Sequence, residues 1–527
     1  MKFSKRVILT LFALLILLNI ILRYPTTPHE IGVDSFIVHS MANAISKFGY
    51  AGWWISPASI IGSYPYSTSP SAVPFLLSGI SQCSSMDMES VIFLYSMILG
   101  LFSIFAAYLM AGAIWNNDIF KFLVAFVFST CQGIVTYSTW TANARTLFII
   151  SLPLFIYLLL KTRTFKARFS ILTFIILALL LATHHYIYFT IPIILSYFVI
   201  VMLYKFGNYI KSVKIPENFA NIAMLISFLI MFSIPLFTRT LIEMDPVMRR
   251  SGGESYVWLF IQNYTRYIGI LIIFVVSGYI YLLLKHNKKV EEWFLLLCLV
   301  GLAPFLFILT YMKWFILPFA CLLIGISLTT IAKASQKRKY AAFFVVILLL
   351  FSVSFSGYYQ YLHFLNDPSP YKRHMEERTY VGALWLKDNT NNDKNIIAEG
   401  GITHSVFSTS EVPTLGGVGA GAVDLAYGFV DTEKLEIKRV RSPLSVSFYF
   451  YDPYIINNHT LTSSFAINIL NSDINAVYKS WGIQAIPRFN LSYYVENEDV
   501  SNTFTRSVQQ TKDDVYDNGK IRVWCLD

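Results

Sequence analysis

Apolar stretches of roughly 15–25 residues recur about eleven times before residue 360, and that pattern leaves few folds open. In lipid each backbone N–H and C=O must be satisfied inside its own segment, so such stretches become helices that cross the membrane. The first is VILTLFALLILLNIIL, and the others lie near 89–114, 122–137, 145–160, 170–184, 186–204, 219–238, 264–284, 292–311, 314–332 and 341–360. Charge content agrees: 14% of residues are Asp, Glu, Lys or Arg, where a soluble domain carries about 25%. The start, MKFSKR and then an apolar run, has the look of a signal peptide. No small-residue cleavage site follows, only Arg23-Tyr24-Pro25, so a retained first helix is expected.

Lys and Arg set the expected orientation. Alternate loops carry Lys2, Lys5 and Arg6; Lys121; Lys161, Arg163, Lys166 and Arg168; Lys205, Lys211 and Lys214; Lys285, Lys288 and Lys289; and Lys333, Lys337, Arg338 and Lys339. By the positive-inside rule these face the cytoplasm, which puts the N-terminus inside and the C-terminal region outside. The same rule accounts for the net charge of +10. No basic run is interleaved with aromatics, so nucleic-acid binding is excluded as a reading. The five cysteines show no metal-binding spacing; Cys131, Cys298 and Cys321 read as core residues, and Cys83 and Cys525, both external, could pair.

Three external pieces are large: a first loop over 23–88, a middle loop over 239–263, and a polar segment over 361–527. The fold expected is therefore a polytopic α-helical membrane protein with about eleven transmembrane helices and a small C-terminal extracytoplasmic α/β domain. The domains expected are 1–360, which includes loop 23–88, and 361–527. The second opens on a helix, YVGALWLKDNT, and a strand, NIIAEG. It closes on a hairpin turning at Asn518-Gly519. The Gly-rich GGVGAGAVD at 416–424 lacks the Lys-Ser/Thr ending of a phosphate loop and reads as a turn. Asn263, Asn458 and Asn490 head external glycosylation sequons.

The candidates for chemistry gather on the outer side: Glu30, Asp34, His39, Trp140, Arg145, His184, His185, Asp245, Arg249, Arg250 and Lys313. Charge at the mouth of a helix bundle is costly and marks sites. Glu30 to Phe48 has helical character, with Gly49 or Gly52 to end it. At 100° per residue Ser35, His39, Asn43 and Ser46 share one polar face, and Asp34 sits about 140° from His39, pointing off that face. Asp34 is then either the helix cap or a functional carboxylate.

An Asp after the first membrane helix, then a helix, Gly49-Tyr50, Trp53-Trp54 and Tyr64-Pro65, resembles the first external loop of the GT-C glycosyltransferases. These include the protein O-mannosyltransferases and the catalytic subunit of oligosaccharyltransferase. The resemblance is greatest to a prokaryotic branch with a C-terminal external domain. It implies an integral membrane enzyme that moves a hexosyl or pentosyl unit, with inversion, from a polyprenyl-phosphate sugar donor to a hydroxyl on a glycan, lipid or protein acceptor. Asp34 would be the catalytic base, or the ligand of a divalent metal if one is used. No other cofactor is expected.

The pattern departs from oligosaccharyltransferase in two places. The C-terminal segment has ALWLKDNT and no WWDYG motif. A second external carboxylate motif is missing, because Asn116-Asn117-Asp118 falls on the cytoplasmic side. Both departures favour a metal-independent monosaccharide transferase over transfer to Asn.

The departing lipid phosphate gains charge in the transition state, and fixed cations would stabilise it. Arg145, Lys313 and the Arg249-Arg250 pair are the candidates, and Glu243 and Asp245 could bind acceptor hydroxyls; Glu30 is either substrate-binding or solvated at the helix start, and His39 either substrate-binding or a surface residue. His184 and His185 are adjacent, about 100° apart on a helix, and so suit hydrogen bonding to donor better than joint metal binding. Trp140 could stack on sugar or anchor at the interface. The rival readings are a transporter or flippase of lipid-linked sugars, which would place charge at the midplane, and a non-catalytic receptor.

Overall fold

The computed structural model describes residues 5–50, 72–164, 166–209, 217–243, 255–334, 338–362, 373–391, 394–399, 401–415, 436–442, 445–451, 490–500 and 503–527. They form two compact units. One comprises Met1–Tyr24, Met97–Thr139 and Arg145–Tyr361; the other comprises Pro25–Ser96, Trp140–Ala144 and Leu362–Asp527. The expected division kept loop 23–88 with the spans, whereas the structure groups that loop with the C-terminal segment.

The first unit is helical. Single helices long and apolar enough to cross a bilayer are Arg6–Arg23, Met88–Ile114 (which begins in the second unit), Ala144–Thr162, Tyr186–Tyr204, Glu217–Thr238, Val290–Phe307 and Tyr340–Gln360. Three more candidates are bent pairs, giving seven spans, or up to ten, among the described residues, where about eleven were expected of the chain. The difference is Ala167–Thr183, which is apolar but only 17 residues long. Each bend has a local cause. Cys131, in extended geometry, separates Asp118–Thr130 from Gln132–Ser138, which bend by 52°. Gly269, at φ +86°, ends Tyr256–Ile268 and the chain turns by 109° into Ile270–Leu284. Pro318 sits at the second residue of Leu317–Ala334, where it tolerates a helix start but not a continuous helix, and the break there is 47°.

Small residues allow close helix approach. A Cβ on Gly278 would lie 2.1 Å from the Leu323 carbonyl oxygen, so Ile273–Leu284 and Leu317–Ala334 pack backbone to backbone there. The Lys5–Arg23 helix ends on a buried arginine. Arg23 donates from Nε to Ser138 Oγ (2.9 Å), from Nη1 to Asn19 Oδ1 (2.6 Å) and from Nη2 to the Ser129 carbonyl (3.0 Å). Burying a charge requires such partners.

The second unit contains Val33–Phe48, Ala72–Ser84 and a mixed sheet with helices. Its strands are β1 (Asn395–Ala398), β2 (Thr414–Leu415), β3 (Glu436–Ser442), β4 (Ser445–Tyr451), β5 (Leu491–Asn497), β6 (Asp514–Asp517) and β7 (Ile521–Cys525). The main sheet runs β2-β1-β5-β7-β6, parallel over the first three and antiparallel over the last three, while β3 and β4 form a separate antiparallel ribbon. The β6–β7 hairpin turns at Asn518-Gly519, with Gly519 at φ +74°, and the expected helix appears as Glu377–Asn389. Ala383, Leu386, Ile396, Ala398, Val406, Val495, Ile521 and Val523 close the core. Cys83 and Cys525 are free thiols, and Cys131, Cys298 and Cys321 are buried.

Candidate functional site

Two clusters hold the candidate residues, one in each unit. In the second unit the loop helix Val33–Phe48 is set by glycines at both ends. Gly32 occupies the cap position at φ +101°, and Gly49 closes the helix in the left-handed region at φ +76°. Asp34 is therefore the second residue of the first turn and not the cap, and no side-chain cap bond is made there. It is exposed, whereas Ser35 and His39 are buried, so the two faces are the reverse of those expected.

Glu30 explains the reversal. It was expected at the surface or at the helix start, yet it is fully buried. Its carboxylate accepts from Ser35 Oγ at 2.8 Å and from His39 Nδ1 at 2.6 Å. Ser35 Oγ in turn accepts from the Ala142 amide at 2.8 Å. The other polar residues of that face are also taken up: Asn43 Nδ2 donates to the Ser408 carbonyl (3.2 Å) and Ser46 bonds Ser78 (2.9 Å). The polar stripe read from the sequence is an inward, hydrogen-bonded seam. Burial opposes the charged form of His39, but the Glu30 carboxylate outweighs it, and the His39 pKa is raised above 6.5.

A second knot lies beside it. The Glu30 amide donates to Glu89 Oε1 (3.0 Å). His29 bonds Glu89 Oε1 through Nδ1 (3.0 Å) and Glu377 Oε2 through Nε2 (3.0 Å), and its ring stacks on Tyr380 at 4.0 Å. With both nitrogens facing carboxylates the ring is a double donor. Burial works against its charge and the two carboxylates overcome it, raising the His29 pKa. Backbone bonds continue the tie to the C-terminal segment: Gly32 N to the Arg373 carbonyl (2.7 Å) and Met375 N to the Glu30 carbonyl (3.1 Å). Trp140, at φ +42°, accepts from the Ile31 amide (3.0 Å) and donates from Nε1 to the Glu89 carbonyl (3.3 Å). Trp140 is thus a clamp on the loop as well as an aromatic face.

His29, Glu89, Glu377 and His404 were not among the expected residues. His404 is carried by Thr403–Ser410, a helix that packs along Val33–Phe48, and Asp34 acts on it electrostatically.

In the first unit Arg145 and Lys313 converge on one indole. The Arg145 guanidinium lies 4.6 Å from the Trp314 ring and 5.8 Å from Tyr137. Lys313 Nζ lies 4.5 Å from Trp314 and 4.8 Å from Tyr267, and donates to Asn263 Oδ1 at 3.3 Å. Tyr137 and Tyr267 meet Trp314 edge-on at 5.2 and 5.0 Å. Lys313, expected at an outer helix mouth against Trp314, is buried within Leu309–Phe315. Cations above aromatic faces are held by the negative face of the ring.

His184 sits at a break between two helices. It is buried between Ala167–Thr183 and the short helix His185–Phe189, where Nδ1 accepts from the Tyr186 amide at 3.2 Å. That makes it a helix cap. The His185 side chain, Asp245, Arg249 and Arg250 lie outside the described residues, as do Trp53-Trp54, Tyr64-Pro65, Asn458 and 416–424. Among the described residues no group of three or more His, Cys, Asp or Glu side chains is placed to hold a metal ion.

No protein-family model matches the chain, and no curated protein matches it by sequence. Solved structures do. The oligosaccharyltransferase of Archaeoglobus fulgidus, tethered to an acceptor peptide containing the NVT sequon, is similar over 94% of this chain and 69% of its own, at TM-score 0.61 and 12% identity. The same enzyme in complex with zinc and sulfate is similar over 92% and 68%, at TM-score 0.59 and 13% identity. ArnT from Cupriavidus metallidurans, bound to undecaprenyl phosphate, is similar over 99% of this chain and 97% of its own, at TM-score 0.55 and 9% identity. The chain therefore shares the fold of these solved structures. At these identities the likeness is one of fold.

Proposed function

We propose that the chain is a membrane glycosyltransferase that moves one sugar, with inversion, from a polyprenyl-phosphate donor to a hydroxyl acceptor at the outer membrane face. The observation that carries this reading is the fold shared with ArnT over nearly the whole length of both chains, ArnT being a protein whose structure holds undecaprenyl phosphate. Asp34 is the base: an exposed carboxylate on the first turn of a helix whose opposite face is pinned by Glu30 and His39. A base needs reach and fixed orientation, and the buried pair supplies the orientation. The acceptor oxygen attacks the anomeric carbon, its proton passes to Asp34, and the bonding pair to the bridging oxygen leaves with the lipid phosphate.

Arg145 and Lys313 are the phosphate-binding cations, Arg by a two-pronged contact and Lys as a point charge. Arg249 and Arg250 are further candidates. A divalent metal would find Asp34 as its carboxylate, and no step above is routed through one. Purified protein incubated with labelled polyprenyl-phosphate monosaccharides and a membrane extract tests the reading. Transfer into product of opposite anomeric configuration is expected; retention of configuration, or movement of intact lipid-linked sugar between leaflets, contradicts it.

A further inference from the structure

The Lys5–Arg23 helix ends on a guanidinium that spans a helix break. Asp118–Thr130 and Gln132–Ser138 meet at Cys131 with a bend of 52°. A break leaves the last carbonyls of the first segment without donors from the next turn. Arg23 supplies one: Nη2 donates to the Ser129 carbonyl at 3.0 Å, on the near side of the break. On the far side Nε donates to Ser138 Oγ at 2.9 Å, and Nη1 is anchored on Asn19 Oδ1 at 2.6 Å. Ser138 is itself fixed, since its hydroxyl donates to the Ile134 carbonyl at 2.6 Å. Arg23 is 1% exposed and these acceptors are neutral oxygens, so hydrogen bonds compensate the buried charge. Gly100 makes the seat: a Cβ there would lie 2.3 Å from Arg23 Nε.

The far segment carries one wall of the cation site. Tyr137, the residue before Ser138, meets Trp314 edge-on at 5.2 Å and lies 5.8 Å from the Arg145 guanidinium. Its carbonyl accepts from Thr146 Oγ1 at 2.5 Å, one residue past Arg145. We propose that Arg23 is a positioning residue for the Arg145–Lys313 site, setting through Ser129 and Ser138 the angle at which Tyr137 supports Arg145 and Trp314. This rests on the reading of that site as the one that takes the lipid phosphate. A ligand site must be held within roughly 10–20° of its working geometry, and a helix break without cross-bonds sets no such limit. The planar fork of arginine reaches both sides of the break at once, whereas a lysine ammonium is a single point.

The test uses the full-length protein in detergent. Affinity for a short-chain polyprenyl phosphate is read by native mass spectrometry, and folding by melting curves. Arg23→Lys keeps the charge and loses the fork; Ser138→Ala removes only the far-side acceptor. Both should weaken binding, Arg23→Lys by about 10-fold, the size of an ordinary coupling between residues. A role confined to folding gives the same loss of affinity in any background. A positioning role through Tyr137 gives a different result. In a Tyr137→Ala background, where the supported ring is gone, Arg23→Lys should change Kd by less than about 2-fold while lowering Tm as it does in wild type. Equal losses of affinity in the two backgrounds, or wild-type affinity in both Arg23→Lys and Ser138→Ala, overturn the proposal and leave the phosphate site standing. If Arg23→Lys does not fold, Ser138→Ala carries the same cycle and the same two outcomes. Wild-type protein that binds no polyprenyl phosphate removes the phosphate reading, and this inference with it.

Discussion

Replacing Glu30 with Ala should unfold the second unit well below its normal temperature. The carboxylate is fully buried and accepts two hydrogen bonds, from Ser35 at 2.8 Å and His39 at 2.6 Å. Its removal strands a buried imidazole, and breaking one side of a buried pair costs about 3–5 kcal/mol. For a cooperative unit of about 250 residues, 1 kcal/mol moves Tm by about 2–4 °C, so the shift should be roughly 6–20 °C. The pH dependence gives a second check. His39 is held above its unfolded value of 6.5, so the bound proton stabilises the fold. That contribution is complete below pH 6.5 and is lost as pH rises through the raised value. His29 has the same sign and survives in the variant, so the pH slope should shrink and not vanish. A thermal scan of the detergent-solubilised chain across pH 6–9, followed by intrinsic fluorescence, reads both effects. A Tm within 2 °C of wild type, with an identical slope, would refute the claim that this pair holds the loop.

Three further outcomes follow from the first unit. Trp314→Ala removes the ring shared by Arg145 and Lys313, so affinity for a short-chain polyprenyl phosphate should fall about 10-fold or more, measured by tryptophan-independent native mass spectrometry. Arg145→Lys should lose transfer without losing folding, since Lys offers no two-pronged contact; wild-type kcat/KM in this variant would count against a phosphate role. Gly278→Ala places a Cβ 2.1 Å from the Leu323 carbonyl and should destabilise by about 1–3 kcal/mol, seen as a lower melting temperature of the helical unit.

The parts legible in the sequence were those written in local patterns. Apolar length marked the membrane helices, Gly49 marked the end of the loop helix, and Asn518-Gly519 marked the β6–β7 turn. Arg145 and Lys313 were visible because charge beside long apolar runs stands out, and the structure brings them to one indole. What was hidden depended on chain segments far apart. Glu30 looked solvated because its partners Ser35 and His39 form a polar stripe that suits either water or a buried carboxylate. Glu377 and His404 reach the first loop because the C-terminal segment meets it through the Ile31–His374 bridge and through backbone and helix contacts such as Gly32 to Arg373 and Asn43 to Ser408. The bends at Cys131 and Gly269 were also hidden, since hydropathy measures length and not direction. His184 could be read as a ligand because its backbone-capping bond is set by a break after Thr183.

The central claim is that Asp34 is the base of a glycosyl transfer. The most direct measurement is transfer of labelled sugar from polyprenyl-phosphate monosaccharides by wild type and Asp34→Asn side by side, with melting curves to show that both are folded. The account predicts transfer by wild type and a loss of about 100-fold or more in a variant that melts like wild type. Equal transfer by the two proteins would contradict it.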